Sequence, residues 1–459
     1  MEDTIAAIAT PLGTGGIGII RVSGSQAEAV ARLLFKPRKQ LNNFESRRLY
    51  HGDIIAPDSG ELLDEVLLTL MKNPHSYTGE DTLEIHCHGG YFILQSVFSA
   101  VIAAGCRPAA PGEFTKRAFL NNRLDLAQAE AVQDLIMAKT RRGSELALSH
   151  LKGRLSKTID DLRGQLVAAL AGLEAALDFP ADEISSDYNI LACAADTLTS
   201  IIGKLQTLLA TYEQGKIVRD GVDVVIAGKP NVGKSSLLNS LLGEKRAIVT
   251  HLPGTTRDFI EEFININGLA VKLTDTAGLR AAENIIEAEG IALVREKLAT
   301  ADLVLVIIDG SAGLTEEDRT IMAGLLGHNL LLVVNKNDLP QMLDMQQVRA
   351  ILPEVDVLRI SAKYGDGLDQ LKEAIHRIVL GVSGNRHTEV MIANIRHKTA
   401  LERTVAFLSQ AREGAKNNLP PELVAIDLRD ALTSLSEIVA RTTNEEILQE
   451  IFSRFCVGK

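Results

Sequence analysis

Apolar positions in the first quarter of the chain fall in short runs separated by turn residues. Runs of this kind, rich in β-branched side chains, predict the four strands Thr4–Thr10, Gly18–Ser23, Glu65–Leu70 and Thr82–His86. Between residues 91 and 104 the apolar positions recur instead at helical spacing. Residues 1–118 are therefore predicted to form an N-terminal α+β domain.

The apolar pattern takes a helical period from about residue 119. From Leu124 to Gln214, alanine and leucine recur every three or four positions, with few residues that break helices. Pro180 and the acids around it indicate a connection between helices. Residues 119–216 are predicted to be all-α.

Residues 217–384 alternate apolar, β-branched runs with helical patterns. The predicted strands are Val222–Ala227, Val271–Thr274, Leu303–Asp309, Leu330–Asn335 and Val357–Ile360. This alternation is typical of a doubly wound parallel sheet. A glycine- and serine-containing linker at 381–385 follows, and the helical pattern then resumes to residue 459. The simplest fold is a multidomain α/β protein in which the doubly wound domain is inserted into the helical domain.

Composition narrows the function classes. Formal net charge is −11, which argues against a chain that wraps a long nucleic acid, so any nucleic acid is expected to bind through a local patch. The sequence has no run of about 18 uncharged apolar residues, no signal peptide and no CxxC pair among its four cysteines. A cytoplasmic protein without a membrane span is expected.

Residues 228–235 match the phosphate-binding pattern GxxxxGK[ST] between a predicted strand and a predicted helix. Glycines let the backbone N–H groups face phosphate oxygens, Lys234 supplies a positive charge, and the Ser235 hydroxyl is placed to reach Mg²⁺. The predicted phosphate-contacting residues are Asn231, Val232, Gly233, Lys234, Ser235 and Ser236.

Three further motifs follow in the order that guanine-nucleotide binding needs. The first, Asp275-Thr276-Ala277-Gly278, is predicted to serve Mg²⁺ and the γ-phosphate. In Asn335-Lys336-Asn337-Asp338, the Asp338 carboxylate can accept two hydrogen bonds from guanine that adenine cannot offer. Backbone N–H groups of Ser361-Ala362-Lys363 are predicted to lie near the guanine O6. Leu279 stands where many signalling GTPases have a water-orienting glutamine, so catalysis needs an acid or a cation from elsewhere.

Two other patterns suggest sites that their contexts disfavour. The run from Gly13 to Gly18 fits GxGxxG, but a predicted strand follows it rather than a helix, so we interpret it as a tight turn. In His86-Cys87-His88, alternate strand residues face opposite sides, so at most two could share a metal. Cys456 is interpreted as a small packed residue, with a reactive thiol as the alternative.

Longer motifs resemble one family from end to end of the chain. They are the residues 250–258 (THLPGTTRD), 76–81 (SYTGED), 88–90 (HGG), 111–114 (PGEF), 124–130 (LDLAQAE) and 456–459 (CVGK). Together with Asn231 and Leu279 they closely resemble the MnmE (TrmE) tRNA-modification GTPases. His251 and Val457 depart from the family's usual Asp and Ile.

The resemblance implies a homodimer of three-part subunits. It assigns 1–118 to folate binding and dimerisation, 119–216 and 385–459 to the two parts of the helical domain, and 217–384 to the GTPase domain. It further implies potassium-aided, dimerisation-dependent GTP hydrolysis, and a flavin-containing MnmG (GidA) partner in a heterotetramer or larger assembly. That complex adds a carboxymethylaminomethyl-type group to carbon 5 of the wobble uridine of certain tRNAs, and a formyl- or methylene-tetrahydrofolate supplies the one-carbon unit.

The resemblance also implies site residues. Glu287 matches the family's catalytic acid, with Glu283 and Glu289 as competitors, and it acts beside Lys234. Implied ligands are Ser235 and Thr256 for Mg²⁺, Asn231, Thr250, Leu252 and Thr255 for K⁺, and Arg21, Glu84, Arg123 and Lys459 for folate; Thr250, Thr255 and Thr256 also contact the nucleotide. The alternative function is a ribosome-assembly or switch GTPase of the Era/Der type, which would not bind a tetrahydrofolate.

Overall fold

The structure, a computed structural model, describes residues 3–178, 190–243, 262–275, 296–380, 390–440, 445–453, 455 and 457–458. The chain separates into two compact units. The first unit comprises Met1–Gln133, His150–Ile202 and Ala400–Lys459, and the second unit comprises Asp134–Ser149 and Gly203–Thr399. The predicted domain boundaries after residues 118, 216 and 384 stay predictions.

The first unit contains a sheet of seven strands in its described part. They are β1 (Ile5–Ile8), β2 (Gly15–Ser23), β3 (Phe35–Pro37), β4 (Leu49–Ile55), β5 (Leu62–Met71), β6 (Thr82–Gly89) and β7 (Arg107–Pro108). Their order is β3-β4-β5-β6-β2-β1-β7, and the β1–β7 pair is parallel while the others are antiparallel. In β5, Val66, Leu68 and Leu70 are buried at alternate positions because one face of the sheet packs on a core.

The second unit contains a sheet of six described strands. They are β8 (Val222–Ala227), β9 (Glu262–Ile266), β10 (Leu269–Asp275), β11 (Leu303–Asp309), β12 (Leu330–Asn335) and β13 (Asp356–Arg359). Their order is β13-β12-β11-β8-β10-β9, and only the β9–β10 pair is antiparallel. The central strands β8, β11 and β12 are buried along almost their whole length, as continuous apolar runs in a sheet covered on both faces should be.

Besides residues 296–300, which are helical, the helices of the described residues are numbered along the chain. They are α1 (Ala27–Leu34), α2 (Tyr91–Ala103), α3 (Glu113–Leu120), α4 (Leu126–Met137), α5 (Arg141–Leu151), α6 (Arg154–Asp178), α7 (Ile190–Leu209), α8 (Tyr212–Asp220), α9 (Lys234–Gly243), α10 (Glu316–Gly324), α11 (Met345–Ile351), α12 (Leu368–Leu380), α13 (Ile395–Lys416), α14 (Pro421–Ser436) and α15 (Glu445–Ser453). Helices α1 and α2 supply the other half of the core under the first sheet. None of the helices within the described ranges is long and apolar enough to cross a membrane.

The end of the chain returns to the start of the first unit. Phe452 and Phe455 pack in a buried cluster with Phe119 and Leu126. Gly458, in a left-handed conformation with φ of +94°, then lies against the backbone of residues 8 and 9. The C-terminal tail therefore lies beside the N-terminal sheet at Gly458.

Arg117 on α3 is fully buried within the first unit. Its guanidinium nitrogens lie 2.9 Å from Asp3 Oδ1, 3.0 Å from Glu80 Oε2 and 3.2 Å from Glu113 Oε1. Glu113 also pairs with Arg107 on β7. The buried cation thus holds together the chain start, the 76–81 loop and α3.

The glycine-rich run at residues 13–18 is not confined to a turn, which corrects the interpretation from the sequence. Strand β2 begins at Gly15 and contains Gly16 and Gly18. A Cβ on Gly18 would lie 2.5 Å from the Leu94 side chain, so glycine there lets α2 pack closely on the strand. Helical spacing and apolar runs did predict α2 and nine of the strands, although the ends of several are shifted.

Candidate nucleotide-binding site

The phosphate loop has the backbone conformation that its glycines allow. It joins β8 to α9, with φ of +65° at Asn231 and +100° at Gly233. A Cβ on Gly233 would lie 2.2 Å from Asn335 Nδ2, so a side chain there would displace a neighbouring motif. The loop therefore curls at the N-terminus of a helix, the place where backbone N–H groups favour anions.

Lys234, the first residue of α9, is buried. Its ammonium donates to the carbonyls of Gly228 at 2.8 Å and Lys229 at 2.7 Å. These contacts hold a positive charge inside the loop, where phosphate oxygens would be. The exposed side chains of Asn231, Ser235 and Ser236 border the same loop, and their predicted roles stay predictions.

Parallel register gathers the polar motif residues at one edge of the second sheet. Asp275 is opposite Ile226 between β10 and β8, and Asp309 is opposite Asn335 between β11 and β12. In doubly wound sheets, ligands bind beyond the carboxyl ends of the strands. The end of β10 thus lies beside the strand that enters the phosphate loop, an arrangement that fits Mg²⁺ held from Ser235 and the Asp275 motif.

Asn335 is a buried link between three motifs. Its Nδ2 donates to the carbonyl of Val232 in the phosphate loop at 2.8 Å, and its Oδ1 accepts from the Ala362 amide at 2.9 Å. Both polar atoms of the side chain are therefore engaged by protein. Asn335 positions the phosphate loop and the 361–363 segment with respect to each other.

Asp338 is held from one side by Ser361. The Ser361 hydroxyl donates to Asp338 Oδ1 at 2.6 Å, and Asp338 is exposed. One carboxylate oxygen of an exposed residue is thus oriented by protein, which suits a group that reads a base edge. The sequence placed Ser361 near the base through its backbone but did not indicate that its side chain orients Asp338.

Lys336 pairs with Asp309, a residue outside the four GTP motifs. Its ammonium lies 2.6 Å from Asp309 Oδ2 at the end of β11. Burial alone would raise the pKa of Asp309, but hydrogen bonds from Lys336 and Ser311 lower it, so the carboxylate is charged at neutral pH. A polar residue directly after the buried run of β11 was the signal that could have identified Asp309.

The remaining predicted nucleotide and ion residues divide into two groups. Lys363 is exposed beside Tyr364, its ammonium 5.0 Å from the ring centre. The others, Thr250, Leu252, Thr255, Thr256, Thr276, Ala277, Gly278 and Glu287, lie outside the described residues. Their roles stay predictions, as does that of the Asp275 side chain.

A second cluster lies on the first sheet, where Arg21 of β2 faces Glu84 of β6. Arg21 Nε and Nη2 lie 2.9 and 2.8 Å from Glu84 Oε1, while Nη1 donates to the Gly458 carbonyl at 3.2 Å. The guanidinium also lies 5.6 Å from the ring centre of Tyr77 and 5.8 Å from that of Phe114. The structure therefore brings together two predicted folate residues, the C-terminal tail and two aromatic rings that the sequence did not single out.

The other predicted folate residues are placed less directly. Arg123 is exposed, and its aliphatic part packs at Gly79, two residues after Tyr77 in the 76–81 loop. Lys459 and Cys456 lie outside the described residues. In the described structure, Glu84 Oε2 has one hydrogen-bond partner, His86 Nε2, at 3.5 Å.

The His86-Cys87-His88 segment alternates across β6 as expected. Cys87 is buried, and burial raises the pKa of its thiol to about 12. His88 Nδ1 lies 2.7 Å from Asp64 Oδ1 on β5. Within the described ranges no three His, Cys, Asp or Glu side chains form a group that could hold a metal ion.

Comparison with known proteins gives one family across the chain. The MnmE helical domain model matches residues 126–456, and the model for the GTP-binding protein TrmE N-terminus matches residues 4–123. The tRNA modification GTPase MnmE of Syntrophus aciditrophicus is 54% identical over 460 residues, and that of Geobacter sulfurreducens is 48% identical over 464; both alignments cover 100% of each chain.

A solved structure of Era from Aquifex aeolicus with GDP.AlF4- is 29% identical over 40% of this chain and 67% of that one, at a TM-score of 0.28. The family models span both the N-terminal and the helical segments, and full-length relatives carry the tRNA-modification name. The assembly-factor alternative is therefore set aside. The chain belongs to the MnmE family of tRNA modification GTPases.

Proposed function

We propose that this GTPase supplies the tetrahydrofolate-binding component of a tRNA-modifying complex in the cytosol. With a flavin-containing partner of the MnmG type, the complex adds a carboxymethylaminomethyl-type group to carbon 5 of the wobble uridine. When bound, a formyl- or methylene-tetrahydrofolate would supply the one-carbon unit. The observation that carries the proposal is the Arg21–Glu84 pair on the first sheet, a charged site separate in sequence from every GTP motif.

The donors and acceptors at this pair fit a folate. A pterin presents an aminopyrimidinone edge that a carboxylate can grip through paired hydrogen bonds, and Glu84 is only 17% exposed on its strand. Tyr77 and Phe114 flank the Arg21 guanidinium; the half-buried Tyr77 offers flat surface to a ring, and the fully buried Phe114 packs behind the guanidinium. The anionic glutamate tail of a folate needs cations, which Arg123 and the C-terminal Lys459 would supply.

Removing the carboxylate should abolish most of the folate affinity. Glu84→Ala and Arg123→Ala should each weaken formyl-tetrahydrofolate binding about tenfold or more in isothermal titration, because each loses a charge-assisted contact. Glu84→Gln, which keeps the shape but not the charge, should weaken it similarly. Glu65→Ala on β5, which removes an exposed carboxylate from the same sheet, is the matched control and should bind normally.

The same variants test the function. Purified protein, flavoprotein partner, GTP, potassium, labelled tetrahydrofolate and glycine, the amine that completes a carboxymethylaminomethyl group, are incubated with unmodified tRNA, and digested nucleosides are analysed for label at the wobble uridine. Label should appear with the wild type and the Glu65→Ala control and be lost with Glu84→Ala. Unchanged folate affinity in both Glu84→Ala and Arg123→Ala would place the pocket elsewhere.

GTP hydrolysis is proposed to depend on potassium and on pairing of two GTPase domains in a homodimer. Asn231, on the exposed side of the phosphate loop, would hold the ion together with oxygens of Thr250, Leu252 and Thr255. A monovalent cation there would offset negative charge that develops in hydrolysis, as an arginine finger does elsewhere. Glu287 would orient the attacking water, since Leu279 cannot.

Sodium in place of potassium should therefore lower kcat about tenfold or more at matched ionic strength, because the smaller ion fits the oxygen ring poorly. Glu287→Ala should bind GTP normally. In potassium it should hydrolyse GTP at least as slowly as the wild type does in sodium. Steady-state GTPase assays and nucleotide titrations measure both. Equal kcat in the two salts would contradict a catalytic potassium ion at this site. Loss of GTP binding in Glu287→Ala would indicate that Glu287 has a structural role instead.

A further inference from the structure

Lys229, the second residue of the phosphate loop, makes contacts that its place in the motif does not require. Its ammonium lies 2.8 Å from Asp318 Oδ2 and 3.2 Å from Thr315 Oγ1. Both partners belong to the N-terminus of α10, almost 90 residues further along the chain. The side chain is 18% exposed, so the contact is largely shielded from solvent.

Asp318 is the buried member of the pair of residues that caps the N-terminus of α10. Thr315 and Asp318 form a capping box at the start of α10, and Asp318 Oδ2 accepts from the Thr315 amide at 3.0 Å and the Thr315 hydroxyl at 2.5 Å. Burial alone would raise the pKa of Asp318, but the hydrogen bonds from Lys229 and Thr315 lower it. A carboxylate that is 4% exposed thus stays charged, and Lys229 supplies the compensating positive charge.

The Oδ1 atom of Asp318 is buried and has no hydrogen-bond partner in the described structure. A cap that served only helix stability would be better satisfied by a fully solvated or fully bonded carboxylate. The sequence therefore keeps a costly buried charge pair at this point. In some proteins such pairs specify geometry rather than add stability.

The main chain of Lys229 links this pair to the phosphate-binding lysine. Its carbonyl accepts from Lys234 Nζ at 2.7 Å. On the preceding residue, a Cβ at Gly228 would lie 2.4 Å from the Ile307 carbonyl of β11, so the backbone there is pressed against the strand that leads to α10. The start of the loop is consequently fixed by β11 through its backbone and by α10 through the Lys229 side chain.

We propose that Lys229 is a positioning residue for the GTP site, acting through Asp318 and Thr315 to hold the phosphate loop in its binding conformation. Its ammonium is occupied by the α10 cap and does not serve as a cation on the reacting phosphate. The loop cradles the phosphates in the ground state and in the transition state alike. Loss of the anchor therefore weakens uniform binding and raises KM rather than lowering kcat.

The test compares steady-state GTP hydrolysis and GDP affinity in a set of full-length variants. Lys229→Met should raise KM for GTP and Kd for GDP about tenfold and keep kcat within about twofold. Lys229→Arg should restore both constants because it keeps the charge. Lys372→Met, which removes a lysine of similar exposure (21%) paired with Asp369 on α12 of the same fold, is the matched control and should behave as wild type.

The pair itself is tested with Asp318→Asn, which removes the buried negative charge and keeps the side-chain shape. It should raise KM as Lys229→Met does, and Lys229→Met/Asp318→Asn should be no worse than the more impaired single variant. If Lys229→Met fails to fold, Asp318→Asn by itself tests whether the pair positions the phosphate loop. A fall in kcat at unchanged KM would show that Lys229 takes part directly in hydrolysis. Additive effects in the double variant, or wild-type constants in both single variants, would contradict the proposed coupling between Lys229 and Asp318.

Discussion

Asp338→Asn should shift the base preference of this enzyme from guanine to xanthine. The Ser361 hydroxyl donates to Asp338 Oδ1 at 2.6 Å and would hold the oxygen of an asparagine in the same place. The amide nitrogen then takes the position of Oδ2 and can donate to the extra carbonyl of xanthine. Guanine, by contrast, would present a donor to a donor, an unpaired contact that a site of this kind rejects strongly.

The expected size is a fall of about 10³-fold in kcat/KM for GTP, with a matching gain for xanthosine triphosphate. Steady-state hydrolysis of both nucleotides measures it. The control is Asp369→Asn, which changes a carboxylate that is 91% exposed in the same fold. It should leave kcat/KM for both nucleotides unchanged. If Asp338→Asn hydrolyses GTP with the wild-type KM, Asp338 does not read the base.

Arg117→Met should destabilise the first unit by about 3 kcal/mol at neutral pH, because it removes a buried cation from Glu80 and leaves Glu113 with Arg107 as its cationic partner. Glu113 and Glu80 are 11% and 18% exposed, whereas Asp3 is 48% exposed and adds little. Hydrogen exchange of peptides from β1 and α3, measured by mass spectrometry, should be about 100-fold faster in the variant. Arg107→Met, at the half-exposed edge of the same network, is the control with a smaller expected effect.

The stability that is lost in Arg117→Met should depend on pH in a definite direction. Burial alone would raise the pKa of Glu113, but hydrogen bonds from Arg107, the Ala110 amide and Arg117 lower it below its ordinary value. A lowered pKa contributes stability above the unfolded-state pKa of about 4.3, and this contribution is lost as pH falls through the folded-state value. The difference between wild type and Arg117→Met should therefore narrow below about pH 4, and a gap that widens there would contradict an ionic role.

The GTP motifs could be identified from the sequence because each is a local device. A glycine at a positive φ, a lysine at the first turn of a helix and a carboxylate at a strand end are each specified by a few neighbouring residues. Continuous apolar runs likewise predicted the strands β8, β11 and β12, which are buried on both faces. Strand β4 was missed because its sequence LYHGDII mixes polar residues and glycine with its apolar positions.

Contacts between distant segments could not be inferred in the same way. Asn335 bonds to Val232 across 103 residues, Arg21 to Glu84 across 63, and Lys229 to Asp318 across 89. Each depends on strand order and register, which no local pattern encodes. By itself the sequence determined most of the elements and the chemistry of the GTP motifs, because propensity, burial pattern and motif geometry are short-range properties. Only the tertiary structure decided which charged side chains meet, because the sheets set those distances.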